Sequence, residues 1–119
     1  MTKNRHNIKR SKFLSFVETV NDSKELENII RIYKKKYNNA RHVCWAAVID
    51  DEKTYIEQSS DSKEPRVTAG IQILSQIKSH QLRNIIVIVV RYFGGIKLGK
   101  KKLSEAYKTS AEIAVKTYL

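Results

Sequence analysis

The run Ile85-Ile86-Val87-Ile88-Val89-Val90 constrains this chain more than any other segment. Six consecutive β-branched residues leave no polar face, which suits a short central strand covered on both sides. The run is also far shorter than the roughly 20 apolar residues needed to cross a bilayer. Arg91-Tyr92-Phe93 follows, and then the glycine-punctuated stretch Gly94-Gly95-Ile96-Lys97-Leu98-Gly99. Beyond it Leu103, Ala106, Tyr107, Ser110, Ile113 and Ala114 keep the spacing of one helical face. The spacing predicts a strand, a tight loop and a closing helix.

The remaining elements fit around this unit. Lys12 to Val20 reads as a first strand. Asp22 followed by Glu25 resembles a capping box, and Leu26, Ile29, Ile30, Tyr33 and Tyr37 then form one helical stripe. Lys34-Lys35-Lys36 places cations at that helix's C-terminal end, and Asn38-Asn39 ends it. Arg41 to Ile49 and Thr54 to Ser59 are expected strands joined by the turn Asp50 to Lys53. A polar loop over residues 60–67 leads to a helix from about Thr68 to about His80.

The order is β-α-β-β-α-β-α. It predicts an α+β two-layer sandwich, a mixed four-stranded sheet with helices on one face. A strand covered on one face only should alternate, and residues 85–90 do not. Either something else covers the second face or that face is an apolar dock. Residues 1–11 are expected to be a flexible basic start, and residues 12–119 a single domain.

Net charge is +11, carried unevenly. Residues 1–40 hold ten Lys/Arg against four acids, residues 41–80 five against six, and residues 81–119 eight against two. Two basic segments would therefore form one anion-attracting surface if the fold brings them together. No hydrophobic stretch backs the N-terminal charges, so no signal peptide or membrane anchor is expected. Cys44 is the single cysteine. It allows no internal disulfide, which suits the cytoplasm.

Gly94-x-x-x-x-Gly99-Lys100 imitates a phosphate-binding P-loop, with Asp50 in the place of a magnesium-directed aspartate. Position 101 is Lys where that motif needs Ser or Thr, and the loop carries bulky Ile96 and Leu98. A weaker and more physical expectation survives. Gly94, Gly95 and Gly99 let backbone N–H groups approach an anion, and Lys97, Lys100, Lys101 and Lys102 add charge at a helix N-terminus, where the macrodipole disfavours cations. Arg91, Lys63 and Arg66 are the further candidate phosphate contacts. Tyr92 and Phe93 either stack on bases or cap the core.

Asp61 and Glu64 are an acid/base or metal pair, or else loop architecture in which Thr68 caps the second helix and Pro65 stiffens its approach. His42 and Cys44 share a strand face. They lie too far apart, at roughly 6–7 Å, for a direct hydrogen bond, and no metal site is expected from them.

The segment Arg91-Tyr92-Phe93-Gly94-Gly95-Ile96-Lys97-Leu98-Gly99, preceded by Asn84 and the apolar run, resembles the signature of the Impact family, which includes the bacterial YigZ-like proteins. Lys9 to Leu14, His42-Val43-Cys44-Trp45-Ala46 and Glu64 to Gly70 resemble it in the same order. The resemblance implies a fold similar to a ribosomal small-subunit protein domain and to domain IV of elongation factor G, with a left-handed βαβ crossover. It also implies a non-enzymatic role. Eukaryotic relatives act as translation regulators against activation of the starvation-responsive initiation-factor kinase, and bacterial ones as nucleic-acid binders.

The family-motif loop keeps Asp61, Glu64, Pro65, Thr68, Ala69 and Gly70. Ser62, Lys63, Arg66 and Val67 replace other residues, and two of them stand in the place of glycines. A valine there is expected to change the loop's shape, because it resists φ > 0. Lys100-Lys101-Lys102 likewise replaces small residues. The chain is read as a stand-alone single-domain member.

The expected function is non-catalytic binding of RNA or the ribosome in translation control, with no cofactor. The alternative is a regulator that meets an acidic protein partner. A nucleotide-binding or hydrolytic enzyme ranks third.

Overall fold

In the computed structural model, which describes residues 4–119, five strands form one sheet. They are β1 (Asn4–Ile8), β2 (Ser11–Thr19), β3 (His42–Asp50), β4 (Tyr55–Ser60) and β5 (Ile85–Tyr92), in the spatial order β1-β2-β5-β3-β4. Every pairing is antiparallel. Helices α1 (Ser23–Lys36), α2 (Gly70–Ser79) and α3 (Gly99–Tyr118) complete the α+β fold.

The apolar run becomes the middle strand because both of its faces have a layer to enter. Ile86, Ile88 and Val90 pack with Leu14, Phe16 and Ile49 against Leu26, Ile29 and Tyr33 of α1. Ile85, Val87 and Val89 point the other way, with Phe13 and Val48, against α2 and α3. Each such side chain, removed from water, contributes roughly 1.5–3 kcal/mol. Helices therefore flank the sheet on both sides rather than on one. The second face of β5 lies under α1 and is no apolar dock. The sheet is fully antiparallel and five-stranded where a mixed four-stranded one was expected. It thereby lacks the parallel strands of a P-loop nucleotide-binding fold.

The additional strand comes from the segment expected to be a flexible start. Residues 4–8 pair with β2 from Asn4↔Ser15 to Ile8↔Ser11; residues 1–3 lie outside the described residues. The turn between these strands is only Lys9-Arg10, with φ of 44° and 68°. Such tight hairpins need left-handed backbone and usually take Asn-Gly. Here two cations occupy it. The turn docks on Gly94, where an added Cβ would lie 2.1 Å from the Arg10 carbonyl oxygen. Only glycine permits that approach, so the basic N-terminal turn is held against the glycine loop.

α1 starts as its sequence predicts: the Asp22 side chain accepts from the Glu25 N–H at 2.8 Å. No helix is long and apolar enough, among the described residues, to cross a membrane.

Candidate functional site

The register of the three middle strands places Phe13, Arg91 and His42 side by side on the α2/α3 face. Two apolar layers would normally meet there. Instead the loop before α2 inserts Glu64, whose side chain is 3% exposed. Arg91 Nη1 donates to both carboxylate oxygens, at 3.0 and 2.8 Å. Tyr107 of α3 donates its hydroxyl proton to Glu64 Oε2 at 2.5 Å, and His42 Nε2 lies 3.3 Å from Oε1. His42 Nδ1 donates to the Ser62 carbonyl at 2.6 Å, which fixes the ring. Behind them the Cys44 thiol lies 3.4 Å from the Tyr107 hydroxyl and 3.3 Å from the Asp61 carbonyl.

Burial holds this cluster together and sets its protonation. It pushes the Cys44 thiol up to about 12 and raises Tyr107 well above its ordinary value, so both are neutral near pH 7. A protonated, enclosed thiol is a poor nucleophile. Glu64 ties the loop before α2 to β5, β3 and α3 in one step.

The network forms the floor of a cleft of about 480 Å³. Arg41, Lys63, Lys97 and Lys100 surround it, and Phe93 and Leu98 supply apolar wall. Glu64 is the one acid lining it, and that carboxylate is already engaged by Arg91. The free charge of the cleft is therefore positive.

The three helix N-termini differ in a way that bears on this cleft. Asp22 caps α1 locally. α2 is capped from a distance: Asp61 Oδ1 accepts from the N–H groups of Ala69 and Gly70 at 3.1 and 2.8 Å, and Oδ2 from Val67 at 3.1 Å. α3 has no side-chain cap and no acid in its first turn. Its leading N–H groups are left for solvent or an anion at the cleft's edge.

Residues 9–115 match the model of the Impact N-terminal domain. The chain belongs to the Impact family. It is 39% identical over 103 residues to YvyE of Bacillus subtilis, covering 87% of this chain and 47% of that protein. It is 36% identical to a family member of Haemophilus influenzae, with 92% of this chain and 53% of that protein covered. YigZ of Escherichia coli is 32% identical, over 84% and 50% respectively. The chain thus spans about half the length of the curated relatives it matches. Among solved structures, the crystal structure of a hypothetical protein superposes with a TM-score of 0.89 at 29% identity, over 96% of this chain and 56% of that one. The two-domain translational regulator Yih1 superposes at 0.60 and 25% identity, over 96% and 43%.

The Impact resemblance puts glycine where this chain has Lys63 and Val67, and both residues stand at φ 68°. Both positions thus take left-handed backbone although each carries a side chain. For a β-branched residue that conformation is strongly disfavoured.

The sequence-predicted residues separate into two groups. Lys63, Glu64, Pro65, Arg91, Lys97, Gly99 and Lys100 line the cleft. Arg91 belongs to its buried floor rather than to an exposed rim. Arg66, Lys101 and Lys102 are exposed, but are not among its lining residues. Lys102 instead stands beside Lys9, whose pKa is lowered by the neighbouring Lys102 side chain and its charge. The two basic segments do converge.

Gly94 receives the Arg10 carbonyl, Gly95 and Gly99 take φ of 90° and 77°, and Gly70 sits against the Ser60 backbone. Asp61, rather than Thr68, caps α2. The Thr68 hydroxyl donates to the Pro65 carbonyl. Asp50 pairs with Arg83, away from the glycine loop. Sequence reasoning missed Arg41 and Tyr107 as members of the site. Tyr107 gave one signal, an aromatic hydroxyl on a mostly apolar helical stripe, which needs a partner once buried. Among the described residues no group of three His, Cys, Asp or Glu is placed to hold a metal ion.

Proposed function

We propose that this domain binds RNA on the ribosome, without catalysis, as part of translation control in the cytoplasm. The observation that carries this reading is the convergence of Arg41, Lys63, Lys97 and Lys100 around one cleft beside the uncapped α3 N-terminus. The Lys9-Arg10 turn and Lys102 extend the positive surface past the glycine loop. Cations and free backbone N–H groups at one site suit phosphate oxygens, and an RNA backbone offers those in series. The description of Yih1 as a translational regulator supports the same direction.

The reading is tested by ribosome co-sedimentation from lysate across a salt series, with and without RNase. Salt-sensitive, RNase-sensitive pelleting is expected. Replacing Lys100, Lys101 and Lys102 together by alanine should flatten the salt slope by up to about three contacts. An unchanged slope removes these lysines from the interface. Pelleting that resists RNase and moderate salt replaces RNA by an acidic protein partner.

A further inference from the structure

We propose that the cleft receives one nucleoside monophosphate unit, its phosphate at the N-terminus of α3 and its base against Phe93 and Arg41. The inference rests on the RNA-binding reading for the source of that unit, and narrows it to a pocket with defined parts.

A backbone-tracking surface needs only charge, and this site has more. Phe93 is 37% exposed, and the Arg41 guanidinium stands 5.0 Å from its ring centroid. An aromatic ring paired with a planar guanidinium is a stacking platform for a base. The Arg41 backbone N–H donates to the Arg91 carbonyl at 2.8 Å, which anchors this platform to β5.

Across the cleft lie Lys97 and Lys100, the φ 77° glycine that opens α3, and a helix end with no side-chain cap. A dianionic or diester phosphate satisfies those N–H groups and lysines together. An independent observation comes from the floor. The Arg91 side chain is 7% exposed, yet its Nε has no hydrogen-bond partner, and both of its bonds to Glu64 run through Nη1. A buried guanidinium nitrogen without a partner is costly, and the side chain that carries it belongs to the floor of this cleft. The volume of about 480 Å³ falls within the range of roughly 300–1,000 Å³ usual for small-ligand sites. Lys63 adds a reason for the loop's strain: its φ of 68° holds a cation at the cleft where glycine would supply none.

The experiment is a titration of the full ¹⁵N-labelled chain with AMP and, separately, with inorganic phosphate, read by amide shifts. AMP is expected to move Phe93 and Gly99 to Lys102 in a saturable way, and to bind more tightly than phosphate. Phe93→Ala should weaken AMP by roughly tenfold and leave phosphate unchanged, as loss of a stacking partner predicts. Lys97→Ala should weaken both. AMP binding no tighter than phosphate, or indifferent to Phe93→Ala, overturns the pocket.

A second arm measures an eight-residue oligoadenylate and ribosome pelleting on the same variants. Loss of oligonucleotide affinity in Phe93→Ala at unchanged salt slope supports the pocket as an RNA subsite. Phe93-dependent AMP binding with neither RNA nor ribosome association upholds the pocket, overturns the RNA reading and makes free nucleotide the ligand. Ribosome binding with an AMP-blind cleft does the reverse.

Discussion

Both faces of the one sheet are apolar at their centre, but they differ in the polar groups they admit. Toward α1 the side chains from β2, β3 and β5 are apolar and aromatic, with Phe16, Tyr33 and Tyr37 in mutual ring contact at 5.2 to 6.1 Å. Toward α2 and α3 the same strands present His42, Cys44 and Arg91 around Glu64. All four buried side-chain polar atoms without a partner, among the described residues, lie on this second side: Ser11 Oγ, Gln76 Oε1, Arg91 Nε and Ser110 Oγ. Native cores rarely tolerate such groups without a reason. Both faces bury a hydrophobic core, and the α2/α3 face adds a polar cluster at the floor of a cleft.

Breaking the network is the strongest test of that contrast. Glu64→Gln leaves a buried arginine without its counter-charge and should cost about 3–5 kcal/mol in urea unfolding. Ile88→Val, under α1, removes one methyl group and should cost about 0.5–1.5 kcal/mol. Adding Arg91→Met to Glu64→Gln should recover much of the first loss, because the charge that lacked a partner is gone. A Glu64→Gln cost below that of Ile88→Val would mean that the polar cluster is incidental.

Alkaline titration addresses the same face without mutation. Cys44 and Tyr107 are both held neutral, so the folded state keeps its protons at pH values where the unfolded chain has released them. Their contribution is complete below about pH 8 and declines as pH climbs toward 12, a loss on the order of 4 kcal/mol for Cys44 alone. Cys44→Ala should flatten the upper part of that decline. A thermal midpoint unchanged between pH 8 and 11 would contradict it.

The helix caps separate the two faces more gently. Asp61→Ala strips three N–H groups of their acceptor at α2 and should cost about 2 kcal/mol, while Asp22→Ala strips one from α1 and should cost about 1 kcal/mol. Equal losses would show that the remote cap acts no differently from a local one.

What was legible in the sequence follows the range of the interactions. The uniform run over 85–90 announced a doubly covered strand, and Asp22 with Glu25 announced the start of α1, because each signal lies within a few residues. Residues 4–8 escaped since an edge strand of the sequence Asn-Arg-His-Asn-Ile buries only alternate, mostly polar side chains. Which face α1 would cover was not readable, although the failure of residues 85–90 to alternate posed the question. The cleft was half legible. Its two loops stood out by their glycines and charges, and the resemblance joined them. Their meeting point was hidden, because Glu64, Arg91, Tyr107 and His42 come from four segments that only the sheet register and α3 bring together.

The smallest expected effect concerns the loop that joins the two halves of this comparison. Val67 is 53% exposed at φ 68°, so it contributes little packing in return for its strain. Val67→Gly removes a left-handed penalty of about 1–2 kcal/mol and adds back some unfolded-state entropy, for a net gain of about 0.5–1 kcal/mol. Lys63→Gly should relieve a similar strain, yet it also withdraws a cation from the cleft. The pair therefore distinguishes strain retained for binding from strain that is merely tolerated. Val67→Gly should raise the urea midpoint and leave ribosome pelleting unchanged. Lys63→Gly should raise the midpoint and weaken pelleting at every salt concentration. If both variants gain stability and neither loses binding, Lys63 is no part of the interface, and the positive surface begins at Lys97.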